Sequence, residues 1–187
     1  MVRHPGAGDA PLDDDLVDSL IGGGDDGPWR IAGVAVRTIG YGGALLADSV
    51  GTVHVRGDTV QPVHIGSGGA HKFQVGGDIL PEANVSITGP VGTLEVGGDV
   101  LAEATVSGNV GLIRVSQVSA DVTADDDVAK VEIDAIDADA AVAIKGNLGP
   151  PSLPVPNTVK RLDGSLVVEG DATNLPPVQS SPRDLRA

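Results

Sequence analysis

The sequence contains no cysteine. A disulfide framework, a thiolate metal site and a cysteine nucleophile are therefore excluded. Aromatic residues are almost missing: Trp29, Tyr41 and Phe73 are one of each kind, 2% of 187 residues. A compact globule usually fills its centre with larger rings. A core of Val, Ile, Leu and Ala suits a thin, regular interior instead. Basic residues are scarce, 12 Lys and Arg against 26 Asp and Glu, which leaves a formal net charge of −14. That field repels a phosphate backbone, so no nucleic-acid partner is expected. It disfavours anionic membrane surfaces for the same reason. No apolar run approaches 18 residues, so no membrane insertion is expected. No basic stretch followed by an apolar run opens the chain, so no signal peptide is visible. The expected location is the cytoplasm or an assembled particle.

What is present is a repeat. Val75-Gly76-Gly77-Asp78-Ile79-Leu80 returns as Val96-Gly97-Gly98-Asp99-Val100-Leu101, 21 residues later. Gly51-Thr52-Val53-His54-Val55-Arg56-Gly57-Asp58 matches Gly92 to Asp99 and, more faintly, Gly164 to Asp171. A recurrence of about 20 residues is the mark of a stacked array. Unit starts fall at Ile31, Val50, Ala70, Val91, Val110 and Val128, at spacings of 19, 20, 21, 19 and 18, and Leu148 follows after another 20. Each unit opens with alternating apolar residues, as in Val53/Val55, Phe73/Val75, Leu94/Val96 and Ile113/Val115, with polar His54, Gln74, Glu95 and Arg114 between them. Period two is the pattern of a strand with one buried face. A second strand follows at Val63/Ile65, Val85/Ile87, Ala104/Val106, Val122 and Val142/Ile144. Gly57-Asp58, Gly77-Asp78 and Gly98-Asp99 sit between the two as corners. Glycine is expected there for a positive φ, and aspartate for a bond to the local backbone.

The fold class that follows is all-β: a single-stranded parallel β-solenoid (β-helix) of about six rungs of 18–21 residues, with a short N-terminal capping helix. Residues 1–28 form an acidic leader in which Leu12, Leu16 and Leu20 predict that helix over 12–21, closed by Gly22-Gly23-Gly24. It serves as a cap over the open end or as a docking peptide for a protein partner. Residues 29–149 form the solenoid. Residues 150–171 form a cap rich in proline, with 164–171 as a candidate extra strand, because Pro150, Pro151, Pro154 and Pro156 cannot donate to a ladder. Residues 172–187 read as a flexible tail. Val96→Asp is expected to unfold the rod and Glu95→Lys to be nearly silent.

Several motifs invite a chemical reading. Arg56-Gly57-Asp58 spells an integrin tripeptide but lies at a repeat corner. Asp125-Asp126-Asp127 and Asp134/Asp137/Asp139 offer oxygens of the kind calcium takes, yet the Gly-Gly-x-Gly-x-Asp pattern of calcium-binding β-rolls is not met. His54, His64 and His71 fall in adjacent units without a spacing that demands convergence. Asp78 and Asp99, stacked one unit apart, are the carboxylate pair a glycan-cleaving solenoid would need, but aromatic platforms for sugar rings are lacking. No Gly-x-Ser-x-Gly elbow, phosphate-binding loop or His-Glu-x-x-His motif occurs. No catalytic, cofactor-binding or metal-ligating residue is assigned, no cofactor is expected, and the chain is read as not an enzyme.

The phrase Val-x-Gly-Asp/Asn-hydrophobic recurs as Val75 to Ile79, Val96 to Val100 and, displaced within the unit, Ser107-Gly108-Asn109-Val110 and Lys145-Gly146-Asn147-Leu148. Over roughly residues 50–149 this resembles the bactofilins, polymer-forming cytoskeletal proteins with a short β-helix between proline-bearing tails. The units here are slightly longer and less even than a bactofilin's, and the leader lacks an evident membrane-binding peptide. The resemblance implies self-association through the end rungs, with no catalytic residues and no nucleotide. Three functions stay open: a non-catalytic scaffolding solenoid that self-associates into filaments, an oligomeric spacer or attachment component of a virion or cell surface, and a β-helix enzyme acting on glycans.

Overall fold

The computed structural model describes residues 20–21, 30–39, 44–149, 156–173 and 185–186. Every described strand pairs in parallel with the matching strand of the next turn, which makes the chain a β-solenoid of about six turns. One face is built from β2 (Arg30–Val36), the latter half of β3 (Ala44–Val55), the latter half of β4 (Val63–Val75), β6 (Val91–Val100), β8 (Val110–Val118), β10 (Val131–Ile136) and β12 (Thr158–Leu162). The other face uses the early halves of β3 and β4, then β5 (Val85–Ile87), β7 (Ala104–Val106), β9 (Val122–Ala124), β11 (Ala141–Ile144) and β13 (Ser165–Val168). β1 (Leu20–Ile21) and β14 (Leu185–Arg186) add two-residue strands at either end.

The register turns the repeat into columns. Val53, Phe73, Leu94, Ile113 and Val131 stack one above another, as do Val55, Val75, Val96, Val115, Ile133 and Val159. All of them are buried. Leu45, Val63, Val85, Ala104, Val122, Val142 and Leu166 form the matching column on the second face. Thr52, Lys72, Thr93 and Leu112 point outward, as the alternation requires. Burying a Val, Ile or Leu side chain stabilises by roughly 1.5–3 kcal/mol, whereas an exposed ion pair adds only about 0.2–1 kcal/mol. The inner columns therefore set the fold, and the outer face is free to vary.

The unit starts expected from the sequence form one column: Ile31, Val50, Ala70, Val91, Val110, Val128 and Leu148, followed by Ala172. The stack thus runs on past the prolines. Leu148 opens a further turn that contains Thr158–Leu162 and Ser165–Val168, paired with β10 and β11. Asn157 stands below Val131 and is 2% exposed. Its Oδ1 accepts the Val131 N–H at 2.9 Å and its Nδ2 donates to the Thr173 carbonyl at 3.2 Å. A buried amide in an apolar column is tolerable because both ends are satisfied.

The helix expected over 12–21 lies outside the described residues except for its last two. Leu20–Ile21 form a parallel strand on Ala44–Leu45, so those two residues are extended rather than helical. The expected flexible tail over 172–187 is likewise described only in part. Leu185–Arg186 pair with Leu166–Val167. No helix long and apolar enough to cross a membrane occurs among the described residues.

Candidate functional site

The outward side of each turn carries the polar chemistry, and it is organised by two corners. At the first, Asp58 Oδ1 accepts the Asp78 N–H at 2.8 Å, and Asp78 Oδ1 accepts the Asp99 N–H at 2.7 Å. The carboxylates bond the next turn's backbone rather than their own, which corrects the expectation of a local bond. The glycines are also there for another reason. Among the described residues only Gly69 and Gly149 have positive φ. A Cβ on Gly77 would come within 2.1 Å of Asp58 Oδ1, and one on Gly98 within 2.0 Å of Asp78 Oδ1. Glycine is required because successive corners touch.

The second corner repeats the device. Asn109 Oδ1 accepts the Asp127 N–H at 3.3 Å, Asp127 Oδ1 the Asn147 N–H at 2.7 Å, and Asn147 Oδ1 the Asp171 N–H at 2.8 Å. Sequence reasoning missed this ladder. Its signal was the pair of phrases around Asn109 and Asn147, which looked displaced because they close the second strand and not the first. The same holds for Gly164 to Asp171, whose apolar residues Leu166 and Val168 lie on the second face.

Ion pairs run along the outer side of the first face. Lys72 Nζ lies 2.8 Å from Glu95, Arg114 lies 3.7 Å from Glu95 and 2.7 Å from Glu132, and Lys130 also pairs with Glu132. The hydrogen bond from Lys72 holds the Glu95 carboxyl below its usual range, and those from Lys130 and Arg114 do so for Glu132. Between Glu95, Gly97, Arg114, Ser116, Glu132 and Lys160 lies an open groove of about 410 Å³.

The expected candidates fall into this scheme separately. Asp58 of Arg56-Gly57-Asp58 is a ladder member. Asp125 takes Lys145 at 2.7 Å and the Ser107 hydroxyl at 2.9 Å, and these partners, Lys145 first, lower its pKa. Asp134 pairs with Lys160 at 2.7 Å. Asp137 accepts from Ser119 at 2.8 Å, Gln117 at 2.9 Å and Arg161 at 2.9 Å, and its pKa is lowered chiefly by Ser119. The acidic clusters are thus divided among different contacts. Among the described residues no group of three or more His, Asp or Glu could hold a metal ion. His54 sits on the first face beside Gln74, while His64 sits on the second between Leu46 and Ser86. Asp78 and Asp99 are adjacent, and among the described residues Asp99 is the one carboxyl pushed upward, by burial first and then by Asp78 and Asp137.

No family model matches the chain, and no curated protein or solved structure matches it either.

Proposed function

We propose that this chain is a non-catalytic structural rod that scaffolds by associating with copies of itself end to end, the role its bactofilin-like phrases imply. The observation that carries this reading is the use of its polar residues. Asp58, Asp78, Asp125, Asp127, Asp134 and Asp137 are all engaged by an adjacent turn. A glycan-cleaving groove needs a carboxylic acid kept protonated beside a second carboxylate. Glu95 and Glu132 in the groove are instead held ionised by cations. Asp99, whose pKa is raised, stands at the Gly-Asp corner rather than in that groove.

Electron microscopy of the purified protein tests the reading. Filaments whose width matches one rod are expected. Discrete trimers or small rings would overturn it and favour a spacer or attachment component. Polysaccharide cleavage that disappears in Asp78→Asn or Asp99→Asn would overturn the non-catalytic part.

A further inference from the structure

The two ends of the rod form a matched pair. Each column that stops at the last turn has a counterpart at the first in the same register. Val159, Leu162 and Leu166 belong to the columns that begin with Val36, Ile39 and Leu45. The second-corner ladder ends on Asp171, whose position in earlier turns is held by Asn147, Asp127 and Asn109 and, in the first turns, by Ser49 and Arg30. A second copy stacked head to tail therefore places Arg30 next after Asp171, with opposite charges. Among the described strands, β2 and β12 are paired on one side only.

On the other face the same slots are filled from within the chain. Leu45, the first member of its column, pairs with Ile21, and Leu166, the last, pairs with Leu185. Both pairings are parallel, as a neighbouring copy's would be. The end turns are also closed: Val34, Ile39 and Leu45 are 6%, 1% and 0% exposed, and Val159, Leu162 and Leu166 are 2%, 2% and 1%. A terminal turn left bare would show its apolar side along the axis. A two-residue strand gains few net hydrogen bonds, and ordering it costs conformational entropy. A second copy offers seven residues at β2 and its own second strand besides.

We propose that Leu20–Ile21 and Leu185–Arg186 are self-plugs, occupying part of the interface through which copies of this chain stack head to tail, and that a second copy displaces them. The proposal rests on the scaffold reading and adds the register and the competitor. A proline in the plug removes a donor and loosens it without touching the core turns.

The test uses the full-length chain with Ile21→Pro and, independently, Leu185→Pro, each checked for unchanged circular dichroism. Assembly is followed by sedimentation across a concentration series. Each variant is expected to assemble at a concentration at least tenfold below that of the unsubstituted chain. Asp171→Lys is expected to raise that concentration, and Arg30→Glu in the same chain to bring it back. Assembly of all chains at the same concentration overturns the self-plugs while leaving the scaffold reading in place. Assembly by none of them overturns both.

Discussion

The early turns and the late turns are held together on the outside by different chemistry. From Val50 to Val100 the corner is Gly-Asp, and the contacts across it run from carboxylate to backbone. From Val110 to Val168 that corner is gone; the second corner's ladder keeps bonds from side chain to backbone, and beside it side chains pair with side chains: Arg114 with Glu132, Lys145 with Asp125, Lys160 with Asp134 and Arg161 with Asp137. The change has a geometric cause. Val55 to Thr59, Val75 to Ile79 and Val96 to Val100 each span four residues, whereas Val115 to Val118 and Ile133 to Ile136 span three. The register shifts where the two kinds meet, between Val96 and Asp99. Losing the extra residue removes the glycine bend. Gln117 and Ala135 then occupy the place of Asp99. The lesson is that the inner columns tolerate either corner, and the outer bonding follows corner length.

The largest expected effect breaks what the two halves share. Val96→Asp places an unpaired charge in a column where Val96 is 2% exposed, and should cost about 4 kcal/mol or more. Urea unfolding measures it; a loss below about 1 kcal/mol would mean that the column is not the core.

The next effect belongs to the early turns alone. Gly77→Ala and Gly98→Ala drive a methyl group into the carboxylate and backbone of the preceding corner, at a cost of about 1–3 kcal/mol each. Gly57 provides a control at the same corner. Its Cβ would meet Arg37 O at 3.2 Å and Thr38 Cγ2 at 3.4 Å, a tight contact without the overlap of the other two. Gly57→Ala should therefore cost clearly less than either. Equal losses at all three would show that backbone conformation and not contact between turns demands glycine.

A smaller effect is expected at Glu95, where the late pattern begins. Glu95→Lys, expected from alternation to be nearly silent, instead sets a third cation between Lys72 and Arg114. The melting temperature should fall by about 2–4 °C at low salt, and most of that loss should vanish in 1 M salt, where screening reaches about 3 Å. A loss independent of salt would point to packing rather than charge.

Much of this arrangement was legible in the sequence, and what was hidden has physical reasons. Alternating Val, Ile and Leu at a spacing near 20 residues fixed the strands and their register, because a stacked array buries identical positions together. The last turn was harder to see. The prolines lengthen its spacing from Leu148 to Ala172 to 24 residues, and Asn157 puts an amide where an apolar residue was expected. The corners could be located but not explained, since closeness between turns leaves no trace in one turn's residues. Two-residue strands such as Leu20–Ile21 and Leu185–Arg186 carry no periodicity at all. The division of Asp125, Asp134 and Asp137 among separate partners needed the register, which sets residues 18–26 apart beside one another.

The smallest expected effect separates the two halves by pH. Glu95, Asp125, Glu132 and Asp137 have lowered pKa values in the folded chain. A carboxyl of that kind adds stability above its unfolded pKa and loses it as pH falls through the folded value. Asp99 has the opposite sign. Burial, then Asp78, then Asp137 raise its pKa, so the folded state binds its proton more tightly and charging it opposes folding. Among the described residues, four lowered groups against one raised group mean that the rod should weaken in acid. Asp99→Asn keeps the shape of the corner and removes the opposing charge. It should melt slightly above the unsubstituted chain at pH 7, and the difference should close as pH falls through the raised Asp99 pKa and the unsubstituted side chain takes up its own proton. The descent into acid is then steeper in the variant. Melting curves recorded from pH 7 to pH 3 decide the point: an offset that stays constant over that range would mean that Asp99 acts through packing and not through its charge.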